Sequence, residues 1–271
     1  MSRLSTRLAK LRETGRKALV PYIVCGDPNF AITLPMMHAL VQQGADVIEL
    51  GVPFSDPMAE GPTIQFAHER ALVHNTSLRD TLNVVAEFRK TDTETPVVLM
   101  GYTNPVEVMG YELFAELAGK AGVDGLITVD LPPEEAAPLI SALQKVAIDP
   151  IFLIAPTTTM ERAAKIAQYG RGFLYYVSFK GVTGANRLDI DSVVEKVNQL
   201  RSITSLPLFV GFGIKDGHSA AAVASVADGA VVGSVLVSKM GALANNGAAN
   251  AQIIEEVTAI LAEIRTAIDA I

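Results

Sequence analysis

The chain has 271 residues, 49% hydrophobic and 19% charged, with Lys+Arg 22 against Asp+Glu 29 and a formal net charge of −7. That balance is too apolar for a disordered chain and too charged for a membrane bundle, and no apolar run approaches the roughly 18 residues of a membrane span. Net negative charge also disfavours nucleic acid and anionic lipid, so a phosphorylated ligand would be held by local backbone amides.

Leu4, Leu8 and Leu11 recur at helical spacing and predict a short amphipathic helix at the start. Eight short apolar runs rich in Val, Ile and Leu follow, at 19–24, 47–51, 97–100, 125–129, 150–154, 173–177, 208–211 and 230–232. They are apolar almost throughout rather than alternating with charge, which predicts parallel strands buried on both faces. Between them lie stretches of helical period. Residues 33–43 end at Gly44, a C′ glycine. Pro132, Pro133, Glu134 and Glu135 open a helix predicted over 134–146, with proline and acids where a helix N-terminus favours them. Residues 159–169 end at Gly170, and 251–271 place Ile253, Val257, Ile260, Ile264 and Ile268 on one stripe.

Eight strand–helix units without a composition break predict an α/β fold of one domain over 1–271. The expected architecture is a closed (β/α)8 TIM barrel whose extra N-terminal helix plugs the N-terminal end. The competing doubly wound open sheet lacks its fingerprint, because Cys25-Gly26-Asp27-Pro28 rather than G-x-G-x-x-G follows the first run. Arg3, Arg7, Lys10 and Arg12 are spread among polar residues without the apolar stretch of a signal peptide. Cys25 is the single cysteine, and the two features together predict a cytoplasmic protein. His38, His68, His74 and His218 show no paired-ligand spacing, so no metal is expected.

In such a barrel, chemistry sits where strands end and βα loops begin. Strand 2 runs into Glu49-Leu50-Gly51-Val52-Pro53-Phe54-Ser55-Asp56-Pro57-Met58-Ala59-Glu60-Gly61-Pro62. Glu49 shares a face with Val47 and Gly51, opposite Ile48 and Leu50. An acid in that setting is a buried general acid/base candidate, its pKa raised by desolvation. Glu60 follows on the loop, where the two carboxylates face a common substrate for concerted proton donation and removal. Three glycine-bearing loops come late: Lys180-Gly181-Val182-Thr183-Gly184, Gly211-Phe212-Gly213 and Gly233-Ser234. Loops after strands 7 and 8 commonly cradle phosphate with bare N–H groups. Tyr22, Met100, Tyr102, Leu153, Tyr175 and Phe212 stand at strand ends, suited to a flat aromatic substrate.

The residues alone leave rivals open. A class I aldolase needs a Schiff-base lysine, and Lys180 is the only one near a strand end. A flavin enzyme would use the same phosphate loops, and a non-catalytic activator of a partner enzyme would need neither acid.

The block ELGVPFSDPMAEGPTIQ (49–65), with Gly26-Asp27-Pro28, Gly181-Val182-Thr183-Gly184, Val210-Gly211-Phe212-Gly213-Ile214 and Gly233-Ser234, resembles the tryptophan synthase α family, in order and spacing from about residue 8 to 237. The resemblance implies retro-aldol cleavage of indole-3-glycerol phosphate to indole and glyceraldehyde 3-phosphate. It further implies an α2β2 heterotetramer in which the indole passes to a β subunit; that subunit carries pyridoxal phosphate and this chain no cofactor. Glu49 and Glu60 match the family's catalytic carboxylates. Tyr22, Met100, Tyr175, Thr183 and Phe212 match substrate contacts, Tyr102 joining them as a candidate from its place at a strand end, and Gly184, Gly213, Gly233 and Ser234 match the phosphate cradle. Asp56 and Asn104 match the β-facing side. The family pattern reads Asp-Gly-Pro where this chain has Glu60-Gly61-Pro62, and Tyr22 stands where some members carry phenylalanine.

Overall fold

A computed structural model describes residues 2–178, 190–211 and 213–271. The chain opens with α1 (Arg3–Thr14), then alternates β1 (Ala18–Val24), α2 (Phe30–Gln42), β2 (Ile48–Gly51), α3 (Pro62–Val73), α4 (Leu78–Arg89), β3 (Val97–Gly101), α5 (Thr103–Met109), α6 (Tyr111–Ala121) and β4 (Gly125–Thr128). It continues with α7 (Ala137–Gln144), β5 (Asp149–Ile154), α8 (Met160–Tyr169), β6 (Leu174–Val177), α9 (Ile190–Arg201), β7 (Leu208–Gly211), α10 (Gly217–Ala224), β8 (Gly229–Val232), α11 (Ser234–Asn245) and α12 (Asn250–Asp269). All strand pairings are parallel, and β8 pairs with β1, closing the sheet. Closure excludes the open doubly wound alternative.

Each strand is sandwiched, which is why its sequence is apolar on both faces. Outward residues such as Ile23, Ile48, Leu50 and Leu99 pack with the helix ring. Inward residues Val20, Val47, Val98, Ile127, Ile151, Phe173 and Phe209 form a separate cluster with Leu4, Leu8 and Leu11 of α1. The N-terminal helix therefore plugs the barrel floor, as its leucine spacing predicts. Stacked Phe173 and Phe209 rings, 4.2 Å between centroids, fill the level above it.

Three helical expectations shift, one of them at α2, which starts at Phe30 rather than at residue 33. The predicted helix at 134–146 begins at Ala137, because a start at Glu134 would bury Pro138 in the helix interior, where its missing N–H and its ring break the ladder. Starting at Ala137 puts Pro138 in the first turn. On α12, Leu261 takes the place expected for Ile260, which is only half-buried, while Ile253, Val257, Ile264 and Ile268 are buried as predicted.

The floor carries a repeated ionic device. Asp46, Asp124 and Asp228 precede β2, β4 and β8, and each side chain accepts the N–H of an odd strand: Leu19 at 2.9 Å, Val97 at 2.8 Å and Leu208 at 2.8 Å. Arginines complete them: Arg7 and Arg265 on Asp46, Arg3 and Arg89 on Asp124, Arg201 on Asp228. The side chain thus supplies the hydrogen bond that the ladder lacks at its end. Among the described residues no helix is long and apolar enough to cross a membrane.

Candidate active site

The alternation along β2 sends Glu49 into the barrel above Val47 while Ile48 and Leu50 face the helices. Glu49 is 1% exposed, and neither carboxyl oxygen has a hydrogen-bond partner among the described residues. Desolvation first, and the charge of Glu60 second, push its pKa up to about 8. An unpaired buried carboxylate is costly, so the group holds its proton at neutral pH.

Glu60 reaches the same cavity from the loop that follows β2. Its N–H donates to Pro57 O (3.0 Å), and its carbonyl accepts from Gln65 Nε2 (2.9 Å) on α3. Burial pushes its pKa up to about 7. Glu49 and Glu60 line one cavity at the C-terminal mouth of the barrel, together with Tyr22, Ile64, Met100 and Tyr175. Two strand glycines make room for the tyrosines. A Cβ at Gly51 would lie 2.5 Å from Tyr22 Oη, and one at Gly211 would collide with Tyr175 Oη. Beyond Glu60, Met100 and Tyr175 the space widens into an apolar chamber between Val129, Leu153 and Val177, with Arg162, paired to Glu134, among its lining.

The opposite wall is backbone. Gly213 holds φ +78, a left-handed conformation that side chains resist. Gly233 caps α11 without a side-chain hydrogen bond, so no side chain covers the N-terminus beside Ser234. Gly213, Gly233 and Ser234 all line the cavity that holds the carboxyls. A helix N-terminus, with its N–H groups and positive dipole, suits a phosphate.

The structure thus brings Glu49, Glu60, Tyr22, Met100, Tyr175, Gly213, Gly233 and Ser234 together. Thr183, Gly184 and Phe212 lie outside the described residues. Tyr102 departs from its expected place among substrate contacts. It lines neither cavity, is 3% exposed, and spends its hydroxyl accepting from Ala59 N–H at 2.9 Å while its ring stacks on Phe54. One residue past the strand end, it follows the loop rather than the barrel's inward alternation. Asp56 and Asn104 are exposed on the rim, where Met58 and Val108 are each 80% exposed. Sequence reading missed Ile64 and Ile214, which line the cavity from α3 and from beyond β7, and His68, whose role depends on a loop partner. The i, i+4 spacing of Ile64 and His68 on α3 was the one available signal. No cluster of His, Cys, Asp and Glu suited to a metal occurs among the described residues.

A closed barrel whose mouth sets two carboxyls of raised pKa against a helix N-terminus without a side-chain cap is the architecture of an acid–base lyase acting on a phosphorylated substrate. The family model described as tryptophan synthase alpha chain matches residues 8–268. Tryptophan synthase alpha chains of Nitrosococcus oceani and Thioalkalivibrio sulfidiphilus are each 56% identical, over 100% and 99% of this chain and 98% and 100% of theirs. The crystal structure of tryptophan synthase subunit alpha from Legionella pneumophila str. Paris superposes with a TM-score of 0.92 at 47% identity, covering 100% of both chains. The chain belongs to the tryptophan synthase alpha chain family, lyases that cleave indole-3-glycerol phosphate in tryptophan biosynthesis.

Proposed function

We propose that Glu49 and Glu60 divide the proton transfers of the family's retro-aldol cleavage, within one domain spanning the chain. Between their shifted pKa values, about 8 and about 7, Glu49 is protonated and Glu60 ionised. Glu49 then donates a proton to indole C3 while Glu60 takes the N1 proton, giving the indolenine tautomer. The resulting Glu49 carboxylate accepts the proton of the glycerol hydroxyl next to the scissile bond. The C–C electrons return to the ring, the aldehyde forms, and Glu60 returns its proton to N1. Each carboxyl ends as it began. The observation that carries this reading is that Glu49 and Glu60 line one cavity with different surroundings, the arrangement that separates acid from base.

Tyr22, Met100 and Tyr175 flank the reacting carbons, with the indole in the apolar chamber beside Val129 and Leu153. Gly213, Gly233 and Ser234, with Gly184, take the phosphate, and Thr183 and Phe212 complete the pocket. Tyr102 serves this site through the loop it holds. The chain itself carries no cofactor. Family membership implies a β-subunit partner, and the proposed assembly is α2β2, with pyridoxal phosphate in β and the exposed rim around Asp56, Met58, Asn104 and Val108 facing it, in the cytoplasm.

The test is indole release from indole-3-glycerol phosphate, alone and with a β subunit. Glu49→Gln keeps size and loses the titrating proton, so turnover should fall by 10² or more while substrate still binds. Near-parental turnover in that variant would remove Glu49 from the mechanism.

A further inference from the structure

The loop between β2 and α3 is fastened by neighbouring side chains at three points. Near its start, Phe54 N–H donates to His68 Nδ1 at 3.0 Å. Toward its end, Ala59 N–H donates to Tyr102 Oη at 2.9 Å, and Gln65 Nε2 donates to Glu60 O at 2.9 Å. The Phe54 ring lies on the Tyr102 ring, 5.0 Å between centroids and 23° between planes, so the first two fastenings share one stack. Between them the tip is free, with Asp56 and Met58 exposed. His68 and Ile64 sit one turn apart on α3, so the helix that walls the cavity at Ile64 also holds the loop that delivers Glu60.

We infer that His68 is a positioning residue for Glu60: its Nδ1, by accepting the Phe54 N–H, fixes the root of the loop and with it the reach of the Glu60 carboxyl into the cavity. This rests on the catalytic reading of Glu60 above. The bond assigns the tautomer, because an accepting Nδ1 leaves the proton on Nε2. Burial lowers the ring's pKa to about 4, so the acceptor persists across the working range of pH. His68 is 2% exposed, and its Nε2 has no partner among the described residues. The imidazole is therefore held by one polar contact, and that contact is to the loop. A residue that only filled the core there would need no ring nitrogen, and an apolar one of similar volume would strand the Phe54 donor instead. A long side chain at position 60 raises the demand for such a fastening, since a flexible carboxyl gains precision only when its backbone is fixed.

The experiment compares the parent, Glu60→Gln, His68→Leu and His68→Asn, the last of which places an amide oxygen close to Nδ1. Indole release from indole-3-glycerol phosphate is measured as separate kcat and KM values. His68→Leu is expected to lose about tenfold or more in kcat with KM within about threefold, the pattern of a misplaced catalytic group. His68→Asn is expected to recover to within about threefold of the parent. A His68→Leu enzyme with parental kcat overturns the inference, and so does a folded His68→Asn enzyme with kcat tenfold or more below the parent. If His68→Leu fails to fold, the His68→Asn result decides. A parental rate in Glu60→Gln would instead strike the catalytic reading of Glu60.

Discussion

Glu49 holds its proton because nothing in the barrel answers its charge, and this has a consequence for folding. Its pKa is raised to about 8 in the native state against an ordinary value near 4.5, so the native state binds the proton more tightly than the unfolded chain. The associated stability is complete below about pH 4.5 and is lost as pH rises through about 8. Glu49→Gln, which never ionises, should therefore gain on the parent between pH 5 and pH 9, by on the order of 2–5 kcal/mol. Denaturant midpoints of the two proteins at both pH values check this; parallel behaviour would mean that the carboxyl finds a charge partner after all. Glu60 makes a different demand, for both charge and reach. Glu60→Gln should lose most activity, because an amide is a poor proton acceptor. Glu60→Asp keeps the charge and shortens the arm by one methylene, and should cost roughly 1–2 kcal/mol in kcat/KM. Parental kcat/KM in both variants would remove Glu60 from the mechanism.

The strands were readable at the level of composition because burial on two faces leaves no polar alternation to confuse the pattern. All eight runs lie within a residue or so of the observed strands. Helix starts were less so. Acids after two prolines look like a helix N-terminus at 134, and only Pro138 forces the later start. The paired helices α3–α4 and α5–α6 do not follow from a one-strand, one-helix rhythm. In the site, Glu49 could be placed by alternation alone, whereas Tyr102 and His68 take their roles from loop N–H groups whose direction no local pattern encodes. The glycine loops told more than their lengths: Gly213 needs its φ of +78 and Gly233 leaves the N-terminus of α11 without a side-chain cap. Gly213→Val should weaken glycerol 3-phosphate binding about tenfold or more while leaving free indole nearly unaffected. Calorimetric titration with each ligand separates this from misfolding, which would weaken both equally.

The barrel divides its labour between two ends. Below, Asp46, Asp124 and Asp228 bind strand N–H groups and arginines; above, the Glu49 carboxyl has no hydrogen-bond partner among the described residues. Asp124 is 3% exposed and holds Val97 N–H, Arg3 and Arg89 at once. Asp124→Ala strands all three and should cost about 2–4 kcal/mol, reduced from the fully buried case because Arg3 is partly solvated. In a chain of this length that is a fall of roughly 5–12 °C in Tm. Activity at 25 °C should stay within about twofold, since the floor touches no substrate; calorimetric melting and a rate assay together check both halves. The leucines of α1 add one more consequence. With Leu4, Leu8 and Leu11 sealing the floor, the cavity that holds Glu49 lies at the opposite end of the barrel. With the partner docked on the rim as proposed above, substrate entry and indole exit lie at the barrel end that the partner meets.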